Sequence, residues 1–227
     1  MQNRVIAITG GFGALGSAIG RLAASRGAHV ALIDRAGVPD AVLDNALTLG
    51  DVDLTDHDAA KAAFATISDT YGRVDALCNI AGGFRWETLA DGELDSWDFL
   101  YQINVKTAAT ACKAAMPYLQ NSAVGRIVNV GAAGAVKAGL GMGAYAASKS
   151  GVMRLTEALA EETKAGTVNV NAVLPSIIDT PQNRADMPDA NPADWVSPDD
   201  LAEVVLFLCS DASRAMTGAL VPVTGRV

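Results

Sequence analysis

The chain predicts an α/β fold, a doubly wound parallel sheet of the Rossmann type in a single domain. Three observations predict it. Short β-branched runs alternate with alanine-rich helical stretches along the whole length. The first run, Val5 to Thr9, passes directly into the glycine-rich segment Gly10-Gly11-Phe12-Gly13-Ala14-Leu15-Gly16 and then a helix. The 227 residues, half of them hydrophobic, contain no Pro-rich or Ser-rich linker, so one core over 1–227 is expected.

The elements follow in order. Val5 to Thr9 reads as a strand and Ala14 to Arg26 as a helix. His29 to Ile33 is a second strand and Leu47 to Leu49 a short third one. Asp58 to Tyr71 is helical, with Asp56 as its cap. Ala76 to Ile80 and Ile127 to Val130 are the fourth and fifth strands, joined through one long helix from Leu94 to Leu119. A second long helix runs from Ala144 to Lys164, followed by a strand from Val168 to Leu174. A helix from Asp199 to Ser210 and a strand from Leu220 to Val223 complete the chain. Right-handed crossovers between such strands put helices on both faces and ligands beyond the carboxyl ends. Two segments interrupt the rhythm at those ends. One is Gly82 to Glu87; the other, 176–198, holds Pro181, Pro188, Pro192 and Trp195 and reads as a substrate lid.

Composition narrows the partners. Seventeen basic against 25 acidic residues give a net charge of −8, which argues against nucleic acid or an anionic membrane as partner. The opening apolar run is too short for a secretory or membrane segment, so a cytoplasmic protein is expected. Cys78, Cys112 and Cys209 stand in apolar contexts and read as buried thiols, with no metal site expected.

Three motifs carry chemistry. Glycines between a first strand and a first helix let a pyrophosphate approach the backbone and the helix N-terminus. Asp34, ending the second strand, is placed to accept hydrogen bonds from a ribose and to repel a 2′-phosphate, which favours NAD; Arg35 beside it leaves NADP open. Tyr145 and Lys149 lie four apart on one helix face. A tyrosine titrates near 10, and a neighbouring ammonium group is expected to lower that value and make the phenol a working proton donor.

Together with Asp53-Leu54-Thr55-Asp56, Asn79-Ile80-Ala81-Gly82, Asn104 and Pro175 followed by Ile177-Ile178-Asp179-Thr180, these motifs resemble the short-chain dehydrogenase/reductase family over almost the whole chain. The resemblance implies an NAD(P)-dependent oxidoreductase acting on a small molecule. It implies catalysis by Tyr145 and Lys149, with Asn104 supporting a proton relay. It implies a cofactor held by Gly10, Phe12, Gly13, Ala14, Leu15, Asp34, Arg35, Asp53, Leu54, Asn79, Ala81, Gly82, Tyr145, Lys149, Pro175, Ile177 and Thr180. It also implies a homodimer or homotetramer built on the two long helices.

The chain departs from the family pattern at three places. Ala14 stands where a glycine is commoner, Ser176 follows Pro175 where glycine is usual, and Ala132 occupies the place of the catalytic serine. Loss of one oxyanion donor costs about 10²–10³ in rate, which would impair an ordinary ketone reductase. The dihydropteridine reductase branch is similar in lacking that serine, and at Ala81-Gly82-Gly83, at Val173 to Pro188 and near the C-terminus, although it does not share Asn104 in this form. That resemblance implies reduction of a quinonoid or imine-like planar substrate. Phe84, Trp86, Met142, Ser176, Met187 and Trp195 are the candidate substrate contacts. A generic carbonyl or alcohol oxidoreductase, with water or Ser176 replacing the hydroxyl, is the alternative; a non-catalytic dinucleotide sensor or assembly protein is a third reading.

Overall fold

A computed structural model describes all 227 residues. Seven strands form one parallel sheet: β1 (Val5–Thr9), β2 (His29–Ile33), β3 (Leu47–Leu49), β4 (Ala76–Asn79), β5 (Arg126–Val130), β6 (Asn169–Pro175) and β7 (Leu220–Val223), in the order β3-β2-β1-β4-β5-β6-β7. The chain moves outward one way from β1 to β3, then restarts on the other side of β1 at β4. Thr9 and Asn79 are paired at the carboxyl ends there, and the connections leave in opposite directions. That divergence opens a crevice.

Both faces are covered, as near-continuously apolar strands require. One face packs α1 (Ala14–Ser25) and a late helix, Pro198–Leu208, around Ile6, Ile8, Val128 and Leu206. The other packs α2 (His57–Tyr71) and the helices after β4 and β5 around Phe64, Leu77, Ile127 and Leu119. Asp56 caps α2 as expected, accepting from the Asp58 N–H at 2.8 Å.

The expected long helix from Leu94 to Leu119 is broken. It consists of α3 (Asp95–Leu100), a π turn (Tyr101–Lys106) and α4 (Thr107–Asn121). Apolar periodicity does not report a π turn, since one extra residue per turn leaves the pattern nearly unchanged. The second long helix is α5 (Gly143–Glu162). The expected lid is folded: α6 (Pro181–Asp186) and a 3₁₀ turn (Pro192–Asp194) lie within it, ahead of α7 (Pro198–Leu208). Its ends are joined where Val196 N–H donates to Ile177 O and Asp179 N–H to Val196 O, at 2.9 and 2.8 Å.

Asp75 aligns the central strands at the end of the sheet opposite the crevice. Its fully buried carboxylate accepts from Val5 N–H (3.0 Å), Ser122 Oγ (2.6 Å) and the Arg73 guanidinium (2.6 Å), while its carbonyl accepts from Arg126 N–H (3.0 Å). Asp75→Ala leaves the Val5 and Ser122 donors unpaired. It is expected to cost about 3 kcal/mol and lower Tm by roughly 6–12 °C in a thermal melt.

Candidate functional site

The crevice is built first by glycines. Gly10 has φ +64°, and a Cβ there would lie 2.8 Å from the Ala81 backbone nitrogen. A Cβ at Gly16 would collide with the Gly10 carbonyl. Thr9 Oγ1 accepts from the N–H groups of Ile80 and Ala81 at 3.1 and 3.2 Å, clamping the two strand ends together. Gly13 starts α1 and no side chain caps it, so the helix N-terminus faces the groove with unpaired N–H groups. Ala14 is exposed, so its methyl group replaces the commoner glycine without crowding the turn.

Asp34 sits where β2 ends. Its two oxygens accept from Phe12 N–H and Ala36 N–H, each at 3.0 Å. Each oxygen keeps a lone pair free for a ribose hydroxyl. Asp53 accepts from both the N–H and the hydroxyl of Thr55 (2.9 and 2.7 Å); these bonds hold its carboxyl below the usual range, with lesser help from Arg35 and Lys106.

A groove of about 410 Å³ runs along these residues. It is lined by Gly10, Gly13, Ala14, Leu15, Asp34, Arg35, Asp53, Leu54, Ala81, Gly82 and Thr180, all expected from the sequence. Phe12, Tyr145, Lys149, Pro175 and Ile177, also expected, are not among its lining residues. Asn79 turns away: its buried amide donates to Asn129 Oδ1 (2.8 Å) and Cys112 Sγ (3.2 Å) inside the sheet. The far wall, Phe99, Gln102, Ile103 and Thr107, was not legible in the sequence, because it comes from the broken helix. The glycine cradle, the open helix N-terminus and the Asp34 carboxylate fit a dinucleotide.

Two of the three catalytic candidates, Asn104 and Lys149, meet at Gly82. A Cβ there would lie 2.6 Å from Asn104 Oδ1 and 3.3 Å from Lys149 Nζ. Asn104, in the π turn, accepts from Gly83 N–H (2.9 Å) and donates to Gly83 O (3.1 Å) and Ser148 Oγ (2.9 Å). Ser148 in turn donates to Tyr145 O at 2.8 Å. The Asn104 side chain thus braces the site, and sequence reasoning missed Ser148, whose hydroxyl carries no signal without its partner. Lys149 is buried and donates to Val130 O at 2.8 Å. Burial pushes its ammonium group down to about 8.

Lys149 does not lower the Tyr145 phenol as the spacing had suggested. Burial pushes that phenol up to about 12, and Lys149 is engaged by the Val130 carbonyl. Beside them Ala132 is 4% exposed, with backbone in the extended region, and brings no hydroxyl. Ser176 does not replace it, because its hydroxyl donates to Thr224 O at 2.7 Å.

The substrate candidates divide. Phe84 meets the Tyr145 ring edge-to-face, with centroids 4.8 Å apart and planes at 79°. Trp86 lies against Gly141, next to Met142, whose side chain is close to Gly134 and Gly139. Met187 is half-buried at the end of α6. Trp195 is buried, its backbone lies beside Gly225, and it is not among the residues that line the groove.

Comparison with known proteins agrees with this geometry. Residues 4–191 match the short chain dehydrogenase family. A 3-oxoacyl-(acyl-carrier-protein) reductase of Thermotoga maritima is 31% identical, over 99% of this chain and 98% of the relative. The 2-(S)-hydroxypropyl-CoM dehydrogenase 3 of Xanthobacter autotrophicus is also 31% identical, over 99% and 96%. The structure of a 3-ketoacyl-(acyl-carrier-protein) reductase from Brucella melitensis complexed with NADH superposes with a TM-score of 0.87 at 27% identity, covering 99% of this chain and 97% of that one. No helix is long and apolar enough to cross a membrane. The chain belongs to the short-chain dehydrogenase/reductase family and is an NAD(P)-dependent oxidoreductase.

Proposed function

We propose that the protein reduces a planar conjugated substrate of quinonoid or imine-like kind, in the manner of a dihydropteridine reductase, with NADH as donor. Ala132 carries this reading. It is buried at the position of the missing serine, and the nearest sequence candidate for a substitute, Ser176, is committed to Thr224. A conjugated ring accepts hydride without concentrating charge on one oxygen, so it needs little oxyanion support. Asp34 supports NAD over NADP, because its carboxylate repels a 2′-phosphate; the Brucella relative was seen with NADH.

Gly10, Gly13 and the α1 N-terminus would hold the pyrophosphate of a bound NADH and Asp34 its ribose, and that cofactor would supply the hydride. Tyr145, kept protonated by burial, donates the proton to the reduced substrate. Lys149, whose ammonium group is charged below about pH 8, would hold the cofactor ribose from its place at Val130 O. Asn104 and Ser148 fix the loop and helix that carry these groups. Assembly as a homodimer or homotetramer through α4 and α5, in the cytoplasm, belongs to the same reading.

A second reading is a carbonyl or alcohol oxidoreductase, favoured by relatives named for 3-oxoacyl and hydroxypropyl substrates. A sensor without turnover is disfavoured by the retention of both Tyr145 and Lys149.

Tyr145→Phe is expected to lower kcat for quinonoid dihydropterin by roughly 10²–10⁴ while leaving NADH affinity within about twofold; undiminished turnover removes the proton-donor role. Ala132→Ser separates the two readings. It should raise simple-ketone reduction by up to about 10²–10³ and leave dihydropterin reduction nearly unchanged. Dihydropterin inactivity of the wild type, with robust ketone turnover, selects the second reading.

Lys149 also sets a pH dependence. Between about pH 8 and 10.5 the unfolded lysine binds a proton that the folded one does not, so stability rises with pH across that window. Denaturant titrations should show that rise in the wild type and lose it in Lys149→Met. Reduction should slow above about pH 8, as the ammonium group loses its proton.

A further inference from the structure

The segment Gly83 to Glu87 is anchored at both ends. Asn104 holds Gly83 through its N–H and its carbonyl, at 2.9 and 3.1 Å. Glu87 N–H donates to Gly141 O at 2.9 Å, and the Trp86 indole lies so close to Gly141 that no side chain fits at that position. Between the anchors, Arg85 stacks 4.1 Å over the Phe99 ring and donates to Ser96 Oγ at 3.1 Å. Phe84 stands apart from these contacts. Its side chain is 52% exposed, and its ring meets Tyr145 at 4.8 Å, edge-to-face.

We infer that Phe84 is a specificity-determining residue: its ring lies edge-to-face against the Tyr145 ring, and a substrate that reaches the phenol must displace it and stack its own flat face on Phe84. The inference rests on Tyr145 as the proton donor. With both ends of the segment fixed, uncovering Tyr145 requires only rotation of the Phe84 side chain, a fast motion for an exposed ring. That rotation gives up an aromatic pair. A planar conjugated substrate restores one with the displaced Phe84 ring, whereas an aliphatic carbonyl does not. Discrimination between them on this account is about 2- to 10-fold in kcat/KM. The contact adds to the burial that pushes the Tyr145 phenol up to about 12.

The test uses Phe84→Ala and Phe84→Leu in the full chain. The phenol is followed by ultraviolet difference titration, and subtraction of Tyr145→Phe isolates its signal from the other three of the four tyrosines. Phe84→Ala should bring the Tyr145 titration down from about 12 toward 10, and Phe84→Leu should leave it high. The ratio of kcat/KM for an aryl ketone over a matched aliphatic ketone should fall about 2- to 10-fold in both variants. An unmoved titration in Phe84→Ala, or an unchanged ratio in both variants, overturns the proposal. The titration needs no substrate. A moved titration and ratio in a protein that ignores quinonoid dihydropterin supports this role of Phe84 and counts against the pterin reading alone.

Discussion

The contact between Gly10 and Ala81 is the constraint on which the site depends. Two strands that leave the sheet in opposite directions must still touch at their carboxyl ends, and only a glycine with positive φ allows it. Thr9 Oγ1 fixes the approach by accepting from Ile80 and Ala81 together. From there the consequences run outward. The turn opens α1 toward the groove, Phe12 N–H reaches Asp34, and Gly82 is delivered to the point where Asn104 and Lys149 converge.

The catalytic end is held by a polar network inside an otherwise apolar wall. Lys149 is nearly inaccessible, and such a charge is tolerated only with a hydrogen-bond partner, here Val130 O. The π turn serves the same end. One extra residue in the helix sets Asn104 where its amide satisfies Gly83 on both sides and reaches Ser148 on the facing helix. A serine would ordinarily add a hydroxyl to this network. With Ala132 in its place no hydroxyl stands there.

Much of the fold was legible. All seven strands coincide with the expected runs to within a residue at each end. Buried parallel strands are written as unbroken β-branched runs, which leave little room for another reading. Eleven of the expected cofactor contacts line the groove for a related reason: glycine turns and strand-end acids are local in sequence. Asn79 and Trp195 were misplaced by the same reasoning. Both sit in the right segments, but where a side chain ends up depends on its neighbours: Asn129 and Cys112 draw Asn79 inward, and Trp195 is buried in the lid.

By itself, then, the sequence determined the sheet, the glycine cradle, the Tyr145/Lys149 pair and the absence of a hydroxyl at Ala132, because each is a matter of residue identity and short-range spacing. Tertiary structure decided the rest. It set the direction of the Tyr145 shift, the commitment of Ser176 to Thr224, the bracing of the loop by Asn104 and Ser148, and the placing of Phe84 against the Tyr145 ring. Each of these depends on groups distant in the chain meeting at hydrogen-bond or van der Waals distance, where burial sets their energies and no sequence pattern records the meeting.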